Sequence, residues 1–411
     1  MAYSGDEFDV VVIGGGIMGS ATAYELAKRG QKTLVLEQFD FLHHRGSSHG
    51  ESRTIRATYP EDYYCAMAIE SYKLWEEAES EMGFKVYYKA QQFDMGPSDN
   101  KSLLSVISSC SRNSLSCQIL DSQQVAEKFS GRINIPENWI GVSTELGGII
   151  KPTKAVAMFQ SLAIRNGAIL RDNMEVISMD RDGAKGGLWV LTANGEKFWG
   201  QKCIITAGAW AKKLVRTVSG VELPIKALET AVCYWRTKEG HEKEFGLGAE
   251  FPTFASYGQP YIYGTPTLEF PGLIKIAVHG GCECDPDKRP WGTVSSMDSL
   301  KEWIQERFSG IVDNGAPVAT QLCMYSMTPD EDYVIDFLDG EFGKDVVIGG
   351  GFSGHGFKMA PIVGRILADL ALHGETKGVD LKYFSIQRFE DNPRGNLKDY
   401  EEQVGCSSNH K

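Results

Sequence analysis

The sequence predicts an α/β protein in which a Rossmann-like domain is assembled from separate segments and a mainly antiparallel β-sheet is inserted between them. Three strand-to-helix junctions predict the first part, because glycine-rich or small-residue turns follow apolar runs near residues 14, 207 and 350. Alternating apolar and polar runs between residues 225 and 285, bounded by glycine and proline, predict the sheet. A chain of 411 residues is also longer than one hydrophobic core usually serves.

The first junction has every part of a dinucleotide-binding fingerprint. Gly14 permits a tight turn, Gly16 lets a pyrophosphate approach the backbone, and Gly19 lets the following helix lie close to the strand. Glu37 ends the second strand at the spacing where an acid meets ribose hydroxyls, which argues against a 2′-phosphate. The residues expected at this site are Ile13, Gly14, Gly16, Ile17, Met18, Gly19 and Glu37. The pattern predicts a dinucleotide, and by itself it does not choose between FAD and NAD.

The two later junctions place further small residues after strands. One strand, at residues 202–206, precedes Ala207, Gly208 and Trp210. The other, at residues 345–350, precedes a glycine-rich loop and a helix with apolar residues at helical spacing. We expect the dinucleotide-binding domain to comprise residues 1–88, 149–224 and 320–411, and the inserted substrate domain to comprise residues 89–148 and 225–319. A helix is predicted at about residues 62–82.

Composition excludes several classes of function. The chain has 42 lysines and arginines and 54 acidic residues, so its net charge is −12. This negative charge disfavours nucleic acid or an anionic membrane surface as a partner. No apolar run approaches a membrane span, and the first residues are too short and acidic for a signal peptide. Nine scattered cysteines favour a reducing compartment, so an intracellular, cytoplasmic protein is expected. Cys282 and Cys284 lack the partners of a zinc site, and no metal is predicted.

One strand of the predicted sheet raises a question about burial. At residues 272–279 the period of two places Lys275 and His279 on the same face. The alternation alone favours a half-exposed sheet that carries a solvated lysine and histidine. The alternative is a sheet face that covers a cofactor, with Lys275 as a fixed cation.

The residues that follow Cys323 help to decide whether this sheet face is half-exposed or covers a cofactor. A lone cysteine there would usually be a small core residue. Together with residues 46–56, 206–210 and 350–358, however, the run at residues 323–330 resembles the monomeric sarcosine oxidase and L-pipecolate oxidase family of FAD-dependent amine oxidases. The resemblance extends through nearly the whole chain, and the last two motifs are its most specific part.

The resemblance implies a glutathione-reductase-type FAD-binding domain and a covalently held cofactor. The family cysteine that matches Cys323 carries FAD through a thioether to the 8α methyl group. Lys275 matches the lysine beside flavin N5, where oxygen is reduced, and this favours the buried alternative for that sheet face. The other residues then expected at the cofactor are Ala207, Gly208, Trp210, Gly351, Phe352, Ser353, Gly354, His355, Gly356 and Lys358.

The resemblance also implies a carboxylate site and a reaction. Arg56 and Lys358 match the family pair that binds the substrate carboxylate, although each could otherwise be an ordinary surface residue. Residues matching positions near the flavin or in the substrate pocket are His49, Arg53, Tyr59, Tyr263, His279 and Tyr325. The implied activity is oxidation of a secondary amino acid at the carbon next to nitrogen, with hydride transfer to FAD, reduction of O2 to H2O2 and hydrolysis of the released imine.

Several alternatives stay open from the sequence. Sarcosine is the first expected substrate, with L-pipecolate, L-proline and N-methyl amino acids as alternatives. A nicotinamide-dependent dehydrogenase would explain the fingerprint without Cys323, and a flavin-binding protein without catalysis would retain the motifs. A monomer is expected. Family resemblance allows a peroxisomal location, but the tail at residues 408–411 is not the usual peroxisomal tripeptide.

Overall fold

A computed structural model describes residues 7–288 and 297–398. The sequence-based expectations for a signal peptide and for the C-terminal tail concern residues outside these ranges, apart from Glu7. Within the described part of the chain, none of the helices combines the length and apolarity that a membrane-spanning segment needs. The same part contains no cluster of His, Cys, Asp and Glu side chains able to hold a metal ion.

The described residues form eighteen strands. They are β1 (Glu7–Ile13), β2 (Thr33–Leu36), β3 (Arg53–Arg56), β4 (Tyr87–Pro97), β5 (Gln118–Leu120), β6 (Trp139–Ile150), β7 (Ile169–Arg171), β8 (Val176–Arg181), β9 (Leu188–Thr192), β10 (Lys197–Ile205), β11 (Lys226–Arg236), β12 (Thr253–Ser256), β13 (Ile262–Thr265), β14 (Leu273–Val278), β15 (Cys282–Glu283), β16 (Ala319–Met327), β17 (Val334–Asp339) and β18 (Gly343–Gly350).

Nine α-helices lie within the same described ranges. They are α1 (Ile17–Lys28), α2 (Asp62–Met82), α3 (Lys101–Arg112), α4 (Ser122–Lys128), α5 (Pro152–Arg165), α6 (Ala211–Ser219), α7 (Asp298–Arg307), α8 (Ala360–His373) and α9 (Arg388–Asp391). The predicted helix at residues 62–82 is therefore confirmed as α2. A 3-10 turn, Phe357–Met359, leads directly into α8.

The first sheet is built on a parallel core. Its eight strands follow the order β17-β18-β10-β1-β2-β7, with β9 pairing β10 and β8 pairing β9. The pairs β1–β2, β1–β10, β10–β18 and β2–β7 are parallel, so the three predicted strand-to-helix junctions leave neighbouring strands at the same edge. Helices α1, α5 and α8 bury one apolar face beside this sheet. The predicted α/β fold is confirmed.

The second sheet has ten strands and is mainly antiparallel. Its order is β15-β11-β14-β13-β12-β4-β6-β3, with β16 on β11 and β5 on β6. The pair β12–β4 is parallel. One face carries Phe93, Phe254, Ile262, Ile274 and Ile276, all fully buried in one apolar cluster. The opposite face carries the polar side chains that form the candidate site.

Two strands of the second sheet come from residues assigned by sequence to the first domain. Strand β3 lies within residues 1–88 and β16 within residues 320–411, apart from its first residue. Both pair in the ten-stranded sheet. The division of the chain into two domains therefore stays a proposal, in which these strands pass from one unit to the other.

Candidate active site

Two cavities share part of their walls. The larger has a volume of about 290 Å³. It is lined by the fingerprint loop (residues 14–19), the turn after β10, strand β16 and the glycine-rich loop that follows β18 (residues 351–358), the late loop. The smaller has a volume of about 120 Å³ and is lined mainly by the ten-stranded sheet and the late loop. Both cavities are lined by Arg53, Cys323, Tyr325, Gly354 and Phe357. A ligand in the larger cavity would therefore adjoin one in the smaller.

The fingerprint turn has the geometry that its glycines predict. Gly14 has φ +103°, and a Cβ there would lie 2.6 Å from the Thr206 carbonyl oxygen. A Cβ at Gly19 would lie 1.8 Å from the Gly14 oxygen, so only glycine lets α1 begin this close to β1. Gly16 lines the larger cavity, where the backbone would meet a ligand.

Glu37 lies at the edge of the same cavity. It is 5% exposed, and its carboxylate accepts hydrogen bonds from the Gly15 amide at 2.7 Å and the Phe39 amide at 3.0 Å. His43 Nε2 lies 3.4 Å from Glu37 Oε1 and also lines the cavity. The carboxylate thus fixes the fingerprint loop, and its predicted contact with a ribose stays a prediction.

Most of the residues predicted at the cofactor line the larger cavity. These are Ile13, Gly14, Gly16, Ile17, Met18, Glu37, Ala207, Gly208, Trp210, Cys323, Phe352, Gly354 and Gly356. His355 and Lys358 line the smaller cavity instead. Gly19, Gly351 and Ser353 line neither.

Gly351 and Ser353 set the backbone conformation of the late loop without lining either cavity. Gly351 has φ +59° and Ser353 has φ +47°, both in the left-handed region. The Ser353 hydroxyl lies 3.2 Å from the Thr328 amide and 3.0 Å from the Gly351 carbonyl oxygen. These contacts attach the loop to the residue that follows β16.

Cys323 is buried where the two cavities meet. Its side chain is 5% exposed, and Arg53 Nη2 lies 3.3 Å from its sulfur. The same guanidinium group donates to the Ser47 and His49 carbonyl oxygens at 3.0 Å and 2.8 Å. Arg53 therefore holds the loop before β3 against the sulfur.

Lys275 lies on a buried sheet face. It is 2% exposed, and its ammonium group donates to the Ser52 carbonyl oxygen at 2.9 Å. The half-exposed sheet favoured by the alternation alone is therefore wrong, because the loop before β3 covers this face. Burial, and then the neighbouring Arg53 cation, lower the pKa of Lys275 to about 7.

Arg56 lies deep in the wall of the smaller cavity. Its guanidinium donates to the Tyr257 hydroxyl at 3.2 Å and the Tyr261 hydroxyl at 3.3 Å, and also to the Thr58 carbonyl oxygen. It lies 4.8 Å from the centre of the Tyr59 ring. The cation is thus fixed by neutral acceptors, which leave its charge for an anion in the cavity.

Lys358 lines the same cavity at the end of the late loop. It is 6% exposed, and its Nζ donates to the Tyr59 hydroxyl and the His355 carbonyl oxygen, both at 2.8 Å. Tyr59 lies 3.3 Å from His355 Nδ1, which also accepts from the Tyr333 hydroxyl at 2.9 Å. Burial, followed by repulsion from Arg56, holds the pKa of Lys358 well below its usual range.

The remaining predicted pocket residues surround these cations. Tyr263, His279 and Tyr325 all line the smaller cavity. Burial, reinforced by the Arg56 and Lys358 cations, lowers the pKa of His279 to about 4. Burial raises the pKa of Tyr325 well above its usual range. Both side chains are therefore neutral near pH 7.

His49 differs from the other predicted residues because it lines neither cavity. Its ring is buried and stacks on His44 with centroids 5.2 Å apart. Its carbonyl oxygen accepts a hydrogen bond from Arg53, which lines both cavities. Its predicted position near the flavin stays a prediction.

Sequence reasoning missed several side chains around Arg56 and Lys358. Tyr257 and Tyr261 contact Arg56 from either end of a short turn, and Tyr333 orients His355. Asp94 is fully buried on β4 beside Ala255, a residue of the cavity wall, and its charge acts on Arg56. Strand β12 spans only Thr253–Ser256, which is too short for a period of two to reveal this face.

The larger cavity fits a flavin dinucleotide. It extends from the fingerprint turn, where glycines keep the backbone open, to Cys323 and the late loop, where it meets the smaller cavity. An extended cavity of this kind suits a cofactor with its nucleotide at one end and its reactive ring at the other.

Comparisons with known proteins agree with this geometry. The family model for FAD dependent oxidoreductases matches residues 9–370. The chain is 68% identical over 408 residues to a probable sarcosine oxidase of Arabidopsis thaliana, covering 98% of each chain. It is 33% identical over 388 residues to the monomeric sarcosine oxidase of a Bacillus strain, covering 93% of this chain and 96% of the relative.

A solved structure shows the same fold. L-proline dehydrogenase from P. horikoshii superposes with a TM-score of 0.79 at 24% identity, covering 94% of this chain and 98% of that one. The match over most of the chain and the identity to curated relatives establish the family. The chain belongs to the DAO family of FAD-dependent oxidoreductases.

Proposed function

We propose that this protein oxidises small secondary amino acids, with sarcosine as the first candidate, and passes the electrons to O2 to form H2O2. The observation that carries the proposal is the pair of buried basic side chains, Arg56 and Lys358, in a small cavity that adjoins the dinucleotide cavity. On a chain of net charge −12, these groups supply the local positive field that an amino-acid carboxylate needs.

The larger cavity would hold FAD, and Cys323 would carry it through a thioether. When bound, FAD accepts a hydride from the carbon next to the amine and returns the electrons to oxygen. The covalent bond is supported by the position of Cys323 in the walls of both cavities and by Arg53 Nη2 at 3.3 Å from its sulfur.

The protein's own residues bind and orient the substrate. Arg56 and Lys358 would bind the carboxylate, and the aromatic wall around Tyr263 and Tyr325 would exclude water from the reacting carbon. Lys275 would provide the cation beside which oxygen is reduced. Within residues 7–288 and 297–398, the hydrogen-bond acceptor of its ammonium group is the Ser52 carbonyl oxygen, so further N–H bonds are available to a ligand.

Two substrates are distinguished by size. A cavity of about 120 Å³ favours sarcosine over bulkier amines. L-pipecolate stays the second candidate.

The proposal is tested by measuring peroxide from the purified protein with sarcosine, L-pipecolate, L-proline and N-methyltryptophan. We expect a yellow protein and the highest kcat/KM with sarcosine. A colourless protein that reduces a nicotinamide would support the dehydrogenase alternative, and a yellow protein without turnover would support a flavin-binding protein that has lost catalysis.

We propose further that the protein is a monomer in a reducing compartment. The printed name of the Bacillus relative describes that protein as monomeric. The eight cysteines within the described residues are all free, as expected where thiols stay reduced.

A further inference from the structure

The side chain of Lys358 is buried without a counter-ion. Its Nζ has two protein acceptors, the Tyr59 hydroxyl and the His355 carbonyl oxygen, and within the described residues no ion pair joins it to a carboxylate. A buried ammonium without an anion is costly, whereas a neutral amine could donate one hydrogen to each acceptor and keep its lone pair. Because Lys358 lines the smaller cavity, that lone pair would be available to a ligand.

The surroundings of Lys358 oppose its charge. Burial, and then repulsion from the Arg56 cation on β3, hold the pKa of Lys358 far below its usual range. His279 after β14 and His355 in the late loop also face Lys358, and both are kept neutral near pH 7 by burial. The other charged groups in the cavity wall are Arg53, Glu61, Lys275, Glu331 and Lys398. Of these, Lys398 and Glu61 pair with each other at 2.8 Å.

We propose that Lys358 meets the substrate as a neutral amine and accepts the proton of the substrate's ammonium group. An N–H bond of the zwitterionic amino acid breaks, and its proton forms a bond to the Nζ lone pair without any transfer of electrons between redox groups. The products are a neutral secondary amine and a charged Lys358 beside the carboxylate. This role rests on the proposed oxidase function, because hydride loss requires a neutral amine.

The proposed proton transfer couples the charge of Lys358 to substrate binding. Before binding, Arg56 is the single cation of the carboxylate pair, and the low pKa of Lys358 avoids a second buried charge. After proton transfer, two cations face one carboxylate, and the amine has its lone pair free for C=N formation. The same zwitterion therefore supplies both the anion that stabilises Lys358 and the proton that charges it.

The test uses butanoate, which has the shape of sarcosine but a CH2 group in place of the amine. Butanoate cannot supply a proton, so its binding must draw one from solvent. In the flavin-loaded protein, its dissociation constant, measured by the change in flavin absorbance, should rise about tenfold per pH unit between roughly pH 7 and 9. Calorimetry in buffers of different ionisation enthalpy should count about one proton taken up.

Three variants assign that proton. Lys358→Arg keeps a permanent cation and should bind butanoate with a dissociation constant independent of pH. Lys275→Met removes a second buried lysine of the cavity and His279→Gln removes the neighbouring imidazole, and both should keep the tenfold slope. Loss of the slope in either of these variants, or its persistence in Lys358→Arg, would overturn the role of Lys358.

Butanoate binding to the wild-type protein tests the proton-acceptor role of Lys358 even if a variant does not fold. A dissociation constant independent of pH, with no proton uptake by calorimetry, would exclude a neutral Lys358. If such a protein still formed peroxide from sarcosine, the oxidase function would stand and only the proton-acceptor role would fall. Failure of butanoate to bind at all would count against both the carboxylate site and the proton-acceptor role.

Discussion

At the scale of single residues, the candidate site is defined by buried basic side chains with few protein partners. Lys275, Arg56 and Lys358 are each less than 10% exposed, and their contacts are carbonyl and hydroxyl oxygens rather than carboxylates. Buried cations are usually paired, because desolvation of a lone charge costs several kcal/mol. Three basic groups of this kind in one cavity support the proposed site for a substrate carboxylate.

The thiol of Cys323 can be tested for a covalent bond. Cys323→Ala should give a protein whose flavin is released by acid denaturation, because no other side chain is proposed to carry it. The absorbance of the supernatant after precipitation measures the released flavin. Cys233→Ala, a change at another buried and free cysteine of the same sheet, should leave the flavin with the polypeptide. Covalent flavin retained in Cys323→Ala would place the bond elsewhere.

Lys275 should act mainly on the step that involves oxygen. Lys275→Met should slow reoxidation of the flavin by O2 by roughly 100-fold, because one preorganised positive group is lost. Anaerobic reduction by substrate should change much less. Stopped-flow absorbance measures both steps, and Lys275→Arg should recover part of the oxygen rate. Equal slowing of the two half-reactions would contradict this role.

Arg56 should act mainly on carboxylate affinity. Arg56→Ala removes a buried cation, and the loss of such a charge-assisted contact should weaken binding by roughly 100-fold, or about 3 kcal/mol. The dissociation constant of butanoate measures this change. That of sarcosine is measured from the rapid anaerobic reduction of the flavin. The hydroxyls of Tyr257 and Tyr261 lose their donor in this variant, so folding is checked by circular dichroism. Unchanged affinity would remove Arg56 from the binding site.

At the scale of elements, glycines allow α1 and α8 to pack closely, and α8 follows directly from the turn that contains Lys358. A Cβ at Gly364 would lie 2.8 Å from the backbone carbon of Ala21 on α1. Helix α8 also begins where the Lys358 carbonyl oxygen accepts from Ser71 and Trp75 of α2. The packing of three helices therefore sets the position of one cavity lysine.

This packing can be tested with a single methyl group. Gly364→Ala should lower the free energy of unfolding by roughly 1–3 kcal/mol, because the added carbon overpacks the contact between α8 and α1. The melting temperature of the flavin-loaded protein measures the effect. Gly248→Ala is the matched control, since a Cβ there meets no atom within 4 Å. Equal melting temperatures for both variants would contradict the close contact.

At the scale of the whole molecule, the buried neutral histidines link stability to pH. The pKa of His279 is about 4 in the folded protein, below the ordinary value of 6.5. The unfolded chain therefore binds more protons between these values, and the free energy of unfolding falls as the pH drops from 6.5 towards 4. Lys275 acts in the same sense between pH 7 and 10.5, where stability rises with pH.

Urea unfolding at a series of pH values tests this linkage. His279→Gln should reduce the acid-side loss of stability by roughly 3 kcal/mol, because the glutamine has no charge to acquire. His241→Gln, at a histidine outside both cavities, should leave the slope unchanged. An identical pH slope in the wild type and His279→Gln would show that His279 is not the group responsible.

Local patterns predicted much of the fold. The fingerprint glycines, the helix at residues 62–82 and strand β14 follow from spacing and periodicity, because each depends on neighbours close in sequence. The assignment of β3 and β16 to the ten-stranded sheet was not predicted, since strand pairing depends on residues far apart in the sequence, as between Thr230 and Cys323. Tyr257 and Tyr261 were not predicted because they lie in the turn between two short strands, β12 and β13.

The sequence by itself determined the family, the dinucleotide fingerprint and the types of side chain available for chemistry, because these reside in short motifs. Only the tertiary structure decided that Lys275 is buried, that Arg56 and Lys358 share a cavity, and that Cys323 lies where two cavities meet. Burial and electrostatic coupling depend on which distant segments cover a side chain. The loop before β3 and the turn before α8 supply that cover, and no local pattern records it.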